Sequence, residues 1–151
     1  MRQLGLSAVL VVIAAGCVPY PHRYQYLPGV EGRVAEASVP LAATQVALRF
    51  QGIGAADPCD APAEAQSITD AQGMFTIPGE RRVDLFISMG HSFESWGFCF
   101  TRRDGSTVSW ASPSRYRAGP RYGPVRMTLD CDLGRRAADV CWIRAYEYGK
   151  W

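Results

Sequence analysis

From residue 29 onward the apolar residues recur at every second position, and this period of two limits the folds open to the chain. Val30, Gly32 and Val34 alternate with Glu31, Arg33 and Ala35, and Val46, Leu48 and Phe50 with Ala47, Arg49 and Gln51. Val83, Leu85, Ile87 and Met89 share one face; Trp96, Phe98 and Phe100 share another, as do Val125, Met127, Leu129 and Cys131. Side chains of a strand project alternately to its two sides, so each run can bury one face and leave the other to water. Turn chemistry separates the runs, at Asp70-Ala71-Gln72-Gly73, Pro78-Gly79, Arg103-Asp104-Gly105 and Ala118-Gly119-Pro120. The expected fold is therefore all-β: an antiparallel sandwich of seven or eight strands with Greek-key connections. Strands are predicted near residues 30–37, 44–51, 65–70, 74–78, 83–89, 95–102, 107–112 and 124–131. In the last stretch, Arg135 to Val140 suits a short helical turn. Val140, Trp142, Arg144, Tyr146 and Tyr148 then alternate as a final strand at the sandwich edge.

Ahead of this domain the pattern changes. Arg2 supplies a positive start, and Leu4 to Ala15 form an apolar run too short to span a bilayer. Ala14-Ala15-Gly16-Cys17 follows, with Ala14 where such motifs usually carry Leu. This segment resembles the lipobox of bacterial lipoproteins. The resemblance implies cleavage before Cys17, diacylation of its sulfur, and attachment to a membrane outside the cytoplasm. The expected organisation is a signal peptide over 1–16, a lipidated Cys17 with a Pro- and Tyr-rich tether over 17–28, and the sandwich over 29–151. Val18 is not the Asp that lipoprotein families use for inner-membrane retention, which points to the outer membrane.

Cysteine content agrees with export. Beside Cys17 stand Cys59, Cys99, Cys131 and Cys141, an even set in an oxidising compartment. No C-x-x-C pair occurs among them, so disulfides are preferred to a metal site. Four cysteines allow three pairings, of which Cys59–Cys99 and Cys131–Cys141 is expected. Cys131 ends a strand, and a turn at Gly134 brings the chain back through Cys141. Cys99 lies opposite Trp96, Phe98 and Phe100, so it points away from them toward the loop of Cys59.

One stretch is more specific. Gly32-Arg33-Val34, Val39-Pro40-Leu41, Val46-Ala47-Leu48 and Thr69-Asp70-Ala71-Gln72-Gly73-Met74-Phe75 follow one another in that order. Together they resemble the carboxypeptidase-regulatory-like domains of the transthyretin-like (prealbumin-type) sandwich group, over about residues 30 to 78. The resemblance implies a fold, and domains of that type mostly bind, support or space other molecules. A purine-pathway hydrolase in the same group ends in Tyr-Arg-Gly-Ser, whereas this chain ends Tyr148-Gly149-Lys150-Trp151.

Side chains that could carry chemistry are sparse. His22 falls in the tether and His91 in a turn, with no acidic ligand set at either spacing. Asp130 and Asp132 stand two apart, as solvated strand-end charges pointing away from the core. No catalytic residue, metal or cofactor is expected. Removing Arg2 with the signal leaves fifteen basic against fourteen acidic residues, which gives no basis for nucleic-acid binding. A candidate partner surface remains in Arg115, Tyr116, Arg117, Arg121, Tyr122 and Arg126, residue types favoured at interfaces. It would suit an envelope protein or an anionic glycolipid; the plainer reading is a hairpin with cross-strand Arg and Tyr pairs. The functional expectation is a non-enzymatic binding or structural accessory of the cell envelope. The alternatives are a periplasmic hydrolase or carbohydrate-active enzyme with an unrecognised site, and a pilotin-like secretion accessory.

Overall fold

A computed structural model describes residues 22–51, 57–84, 95–112 and 124–148. Eleven strands run in the order β1 His22–Leu27, β2 Gly29–Glu36, β3 Val39–Pro40, β4 Gln45–Gln51, β5 Ala65–Ile68, β6 Met74–Ile77, β7 Glu80–Asp84, β8 Ser95–Thr101, β9 Thr107–Ala111, β10 Pro124–Asp132 and β11 Cys141–Tyr148. Two 3₁₀ turns, Pro58–Asp60 and Ala137–Asp139, complete the elements. One sheet runs β11-β10-β2, with β3 and β6 both pairing β2 on its other side; the second runs β5-β4-β8-β9. The fold is the expected all-β sandwich.

The alternation read from sequence is the one that packs. Val30, Val34, Phe75, Ile77, Met127 and Leu129 of the first sheet meet Val46, Leu48, Trp96, Phe98, Phe100 and Trp110 of the second, all buried. Gly32 lies on the same inward face. A Cβ there would fall 2.6 Å from the Phe75 ring and 2.7 Å from the Leu129 carbonyl oxygen, because Phe75 pairs with Gly32 and covers it. The site therefore needs a residue without a side chain.

The 70–73 turn is fixed by its own residues. Asp70 Oδ1 accepts from the amides of Gln72 (2.9 Å) and Met74 (2.8 Å). Gly73 sits at φ +75°, and its carbonyl accepts from Val34 N at 2.8 Å. Buried Thr69 accepts from Thr44 N at 2.9 Å and donates to the Leu41 carbonyl at 2.6 Å, which ties this turn to the Pro40-Leu41 corner.

Both disulfides form as expected, Cys59–Cys99 and Cys131–Cys141, with Cα separations of 5.0 and 4.1 Å. Cys99 faces outward from the second sheet, paired across it with Ala47 and Ser109. The Pro58–Asp60 turn covers that outer face: Asp57 accepts from Cys59 N at 2.8 Å and from the Ser109 hydroxyl at 3.0 Å.

Four features differ from the sequence reading. First, β10 pairs with β2 in parallel, Arg126–Asp132 against Gly29–Ala35. Parallel neighbours need a long crossover, and here the intervening second sheet supplies it. Second, His22–Leu27, placed in the tether by composition, is a strand. It pairs antiparallel with β7, and Leu27 is buried; tyrosine-rich segments suit strands once a partner is present. Third, the strand expected over 83–89 is instead Glu80–Asp84, with residues 85–89 outside the described residues. Its partner is β1 rather than either main sheet, so Val83 is exposed where the alternation placed it inward. Fourth, the final strand is present at the sheet edge, after the expected helical turn, but its alternation breaks. Thr128 pairs with Ala145 and Leu129 with Ile143, so Arg144 is a one-residue bulge. Ile143 and Tyr146 consequently both pack against the core, and Trp142 turns outward.

Candidate functional site

The second sheet has its outer face covered by a disulfide-held turn, whereas the first presents charged and aromatic side chains on its own. The parallel register sets Arg33 beside Asp130, the β10–β11 hairpin sets Asp130 beside Trp142, and β6 sets Met74 on the other side of Arg33. One row thus crosses four strands in the order Met74, Arg33, Asp130, Trp142. At strand spacings of about 4.8 Å the row is about 14 Å long. Met74 and Trp142, at its ends, are 45% and 41% exposed.

A shallow cleft of about 160 Å³ opens over the Arg33, Asp130 and Trp142 part of this row, lined also by Asp132, Arg135 and Arg144 among others. Its two carboxylates are held. Asp130 is ion-paired with Arg144. Asp132 Oδ1 accepts from Ala37 N (3.0 Å) and Gly134 N (3.1 Å), while Oδ2 lies 3.7 Å from Arg135 Nε. The Ala37-Ser38 turn on the rim carries φ values of 49° and 71°, so Asp132 braces a left-handed pair of non-glycine residues. Arg135 in turn stands over the Trp142 ring, 5.0 Å from its centroid. Arg33 is exposed and has no hydrogen-bond or ion-pair partner among the described residues.

Three guanidinium groups against two carboxylates leave the cleft with one unmatched positive charge, that of Arg33. Such an array donates through arginine, accepts through carboxylate and offers an indole surface. No cluster of three or more His, Cys, Asp or Glu able to hold a metal occurs among the described residues, and no described helix is long and apolar enough to cross a membrane.

The residues singled out in the sequence fall as follows. Cys17, His91 and the surface residues Arg115, Tyr116, Arg117, Arg121 and Tyr122 lie outside the described residues. His22 opens β1. Arg126 is exposed on β10 and 3.7 Å from Glu31, a surface pair worth at most about 1 kcal/mol. Asp130 and Asp132 face away from the core as expected, but each is paired with an arginine. Arg33, Arg135, Trp142 and Arg144 were not read as a group. Alternation does place Arg33 and Asp130 on outward faces; only the parallel register brings them together.

No family model, curated protein or solved structure matches this chain.

Proposed function

We propose that this chain is a lipid-anchored cell-envelope protein, attached to the outer membrane through Cys17, whose β-sandwich of transthyretin-like type acts as a non-enzymatic binding or structural accessory. The observation that carries the reading is the cysteine pairing. Cys59 pairs with Cys99 and Cys131 with Cys141, so the four domain cysteines satisfy one another and Cys17 is the odd one. Disulfides persist in oxidising compartments, which suits a chain exported through the signal over residues 1–16. Cys17 follows Ala14-Ala15-Gly16 directly, the setting for acylation. Stable anchoring needs at least two acyl chains, and a diacylated cysteine has them.

Support for the accessory role comes from the outer face of the first sheet, where paired charges and an exposed indole line an open cleft. The Asp70–Gly73 turn, the Pro40-Leu41 corner and the buried Phe75 support the transthyretin-like reading.

Membrane fractionation of cells expressing the chain or Cys17→Ser, with metabolic palmitate labelling, tests the proposal. The native chain is expected in the outer-membrane fraction and labelled; Cys17→Ser is expected soluble and unlabelled. A Cys17→Ser chain that stays fully membrane-bound, or a native chain without label, overturns the anchor.

A further inference from the structure

We propose that the cleft over β2, β10 and β11 binds a saccharide bearing a single carboxylate. This names a ligand class for the binding role proposed above and rests on that reading. Strands β2 and β10 are both paired on two sides, so the backbone of the cleft floor is engaged in ladders and an incoming peptide could add as a strand at the outer edge of β11 but not over that floor. Recognition on the floor between β2 and β10 therefore runs through side chains.

Those side chains alternate in character along the row. Trp142 supplies an apolar surface at one end of the cleft, the donor Arg33 and the acceptor Asp130 stand beside it, and Met74 continues the row on β6 beyond the cleft lining. Arg135 stands over one face of the Trp142 indole, and the part of the ring left exposed can pack against the C–H face of a sugar ring. A guanidinium and a carboxylate side by side then match hydroxyl groups, which both donate and accept. A row of about 14 Å suits a short oligosaccharide rather than one ring.

Charge narrows the class. Arg144 and Arg135 are matched by Asp130 and Asp132, and of the cleft's three arginines Arg33 alone has no ion-pair partner among the described residues. One carboxylate can take the Arg33 fork bidentately. A densely phosphorylated ligand would bring more negative charge than the one unmatched guanidinium offsets.

The probe is the disaccharide N-acetylglucosaminyl-N-acetylmuramic acid, with its carboxamide as the uncharged counterpart. Each is titrated calorimetrically into the full chain in mild detergent. The acid is expected to bind about tenfold or more tightly than the amide, as loss of a charged hydrogen bond implies. Arg33→Gln should abolish that difference with an unchanged melting temperature, since Arg33 is exposed and unpaired among the described residues. Trp142→Ala should weaken acid and amide alike, and Arg103→Gln, an exposed loop change, should alter neither. Equal affinity for acid and amide, a difference that survives in Arg33→Gln, or no binding of either sugar overturns the proposal. Outer-membrane attachment of the same variants is read in parallel, so a failed ligand is distinguished from a failed anchor.

Discussion

The Arg82 guanidinium lies over the face of the Tyr26 ring, 3.3 Å from its centroid, and joins the two strands of the β1–β7 ribbon. The same ring reaches the main sandwich. Its hydroxyl donates to Glu64 Oε2 at 2.8 Å, and its edge meets Phe50 at a centroid distance of 5.2 Å. Arg82 is held in place by Glu80 at 2.7 Å. Tyr26 is thus the point at which the ribbon is fastened to β4 and the loop before β5.

Burial first, and then the hydrogen bond to the Glu64 carboxylate, holds the Tyr26 phenol above the usual tyrosine value; Arg82 acts in the opposite direction. A raised folded value means that the neutral phenol is favoured by folding. Its contribution is fully present below about pH 10 and is lost as pH rises through the folded value. Ultraviolet titration should find that Tyr26 ionises late, and that Glu64→Gln moves it down and Arg82→Gln moves it further up. A Glu64→Gln chain with an unchanged titration would refute the assignment.

Asp57 serves two partners at once, the amide of Cys59 and the hydroxyl of Ser109. Asp57→Ala removes a turn cap and a link to β9, and is expected to cost about 1–2 kcal/mol. Ser109→Ala should cost less, because the cap survives. Denaturant midpoints of the two variants, both disulfides intact, give the comparison.

Gly73 and Gly105 both have positive φ, at 75° and 84°, but their surroundings differ. A Cβ on Gly73 would fall 2.3 Å from the Val34 carbonyl oxygen, whereas one on Gly105 meets nothing within 4 Å. Gly105→Ala is expected to cost about 1–2 kcal/mol, from backbone strain alone. Gly73→Ala should cost clearly more, because it also forces β2 away from the turn. Equal losses in thermal unfolding would show that the close approach is without consequence.

Opening either disulfide should be felt. In the chain-entropy account the Cys59–Cys99 loop, with a sequence separation of 40, stabilises by about 4 kcal/mol. The Cys131–Cys141 loop, separated by 10, gives about 3 kcal/mol. Paired Cys→Ser variants measured by reversible denaturation should rank in that order. Non-reducing peptide mapping should recover these two pairs and no Cys59–Cys131 peptide.

Much of this architecture is legible in the chain itself, because what decides it is local. Alternation over Val30–Val34, Val46–Phe50 and Trp96–Phe100 specifies strands and their buried faces within a few residues. Asp70 and Gly73 specify their turn through contacts no more than four residues apart. Cys131 and Cys141 meet because a short turn returns one strand beside the other. The partner of each strand is decided differently. Val83 carries the same alternation as the core strands and the tyrosines of β1 lie in a segment without it, yet the two strands pair as a separate ribbon. The bulge at Arg144 reverses the faces of β11 because Ile143 and Tyr146 both reach the core, a gain no periodicity records. Arg33 and Asp130 become neighbours only when β10 closes the first sheet beside β2 in parallel. Local pattern accounts for the turns, the cysteine pairs and the inward faces of β2, β4, β6, β8 and β10, but not for β1, β7 or the faces of β11. Tertiary structure decided which outward faces became neighbours, and with them the cleft, because strand pairing is selected by burial summed over distant segments and not by any one segment's own preference.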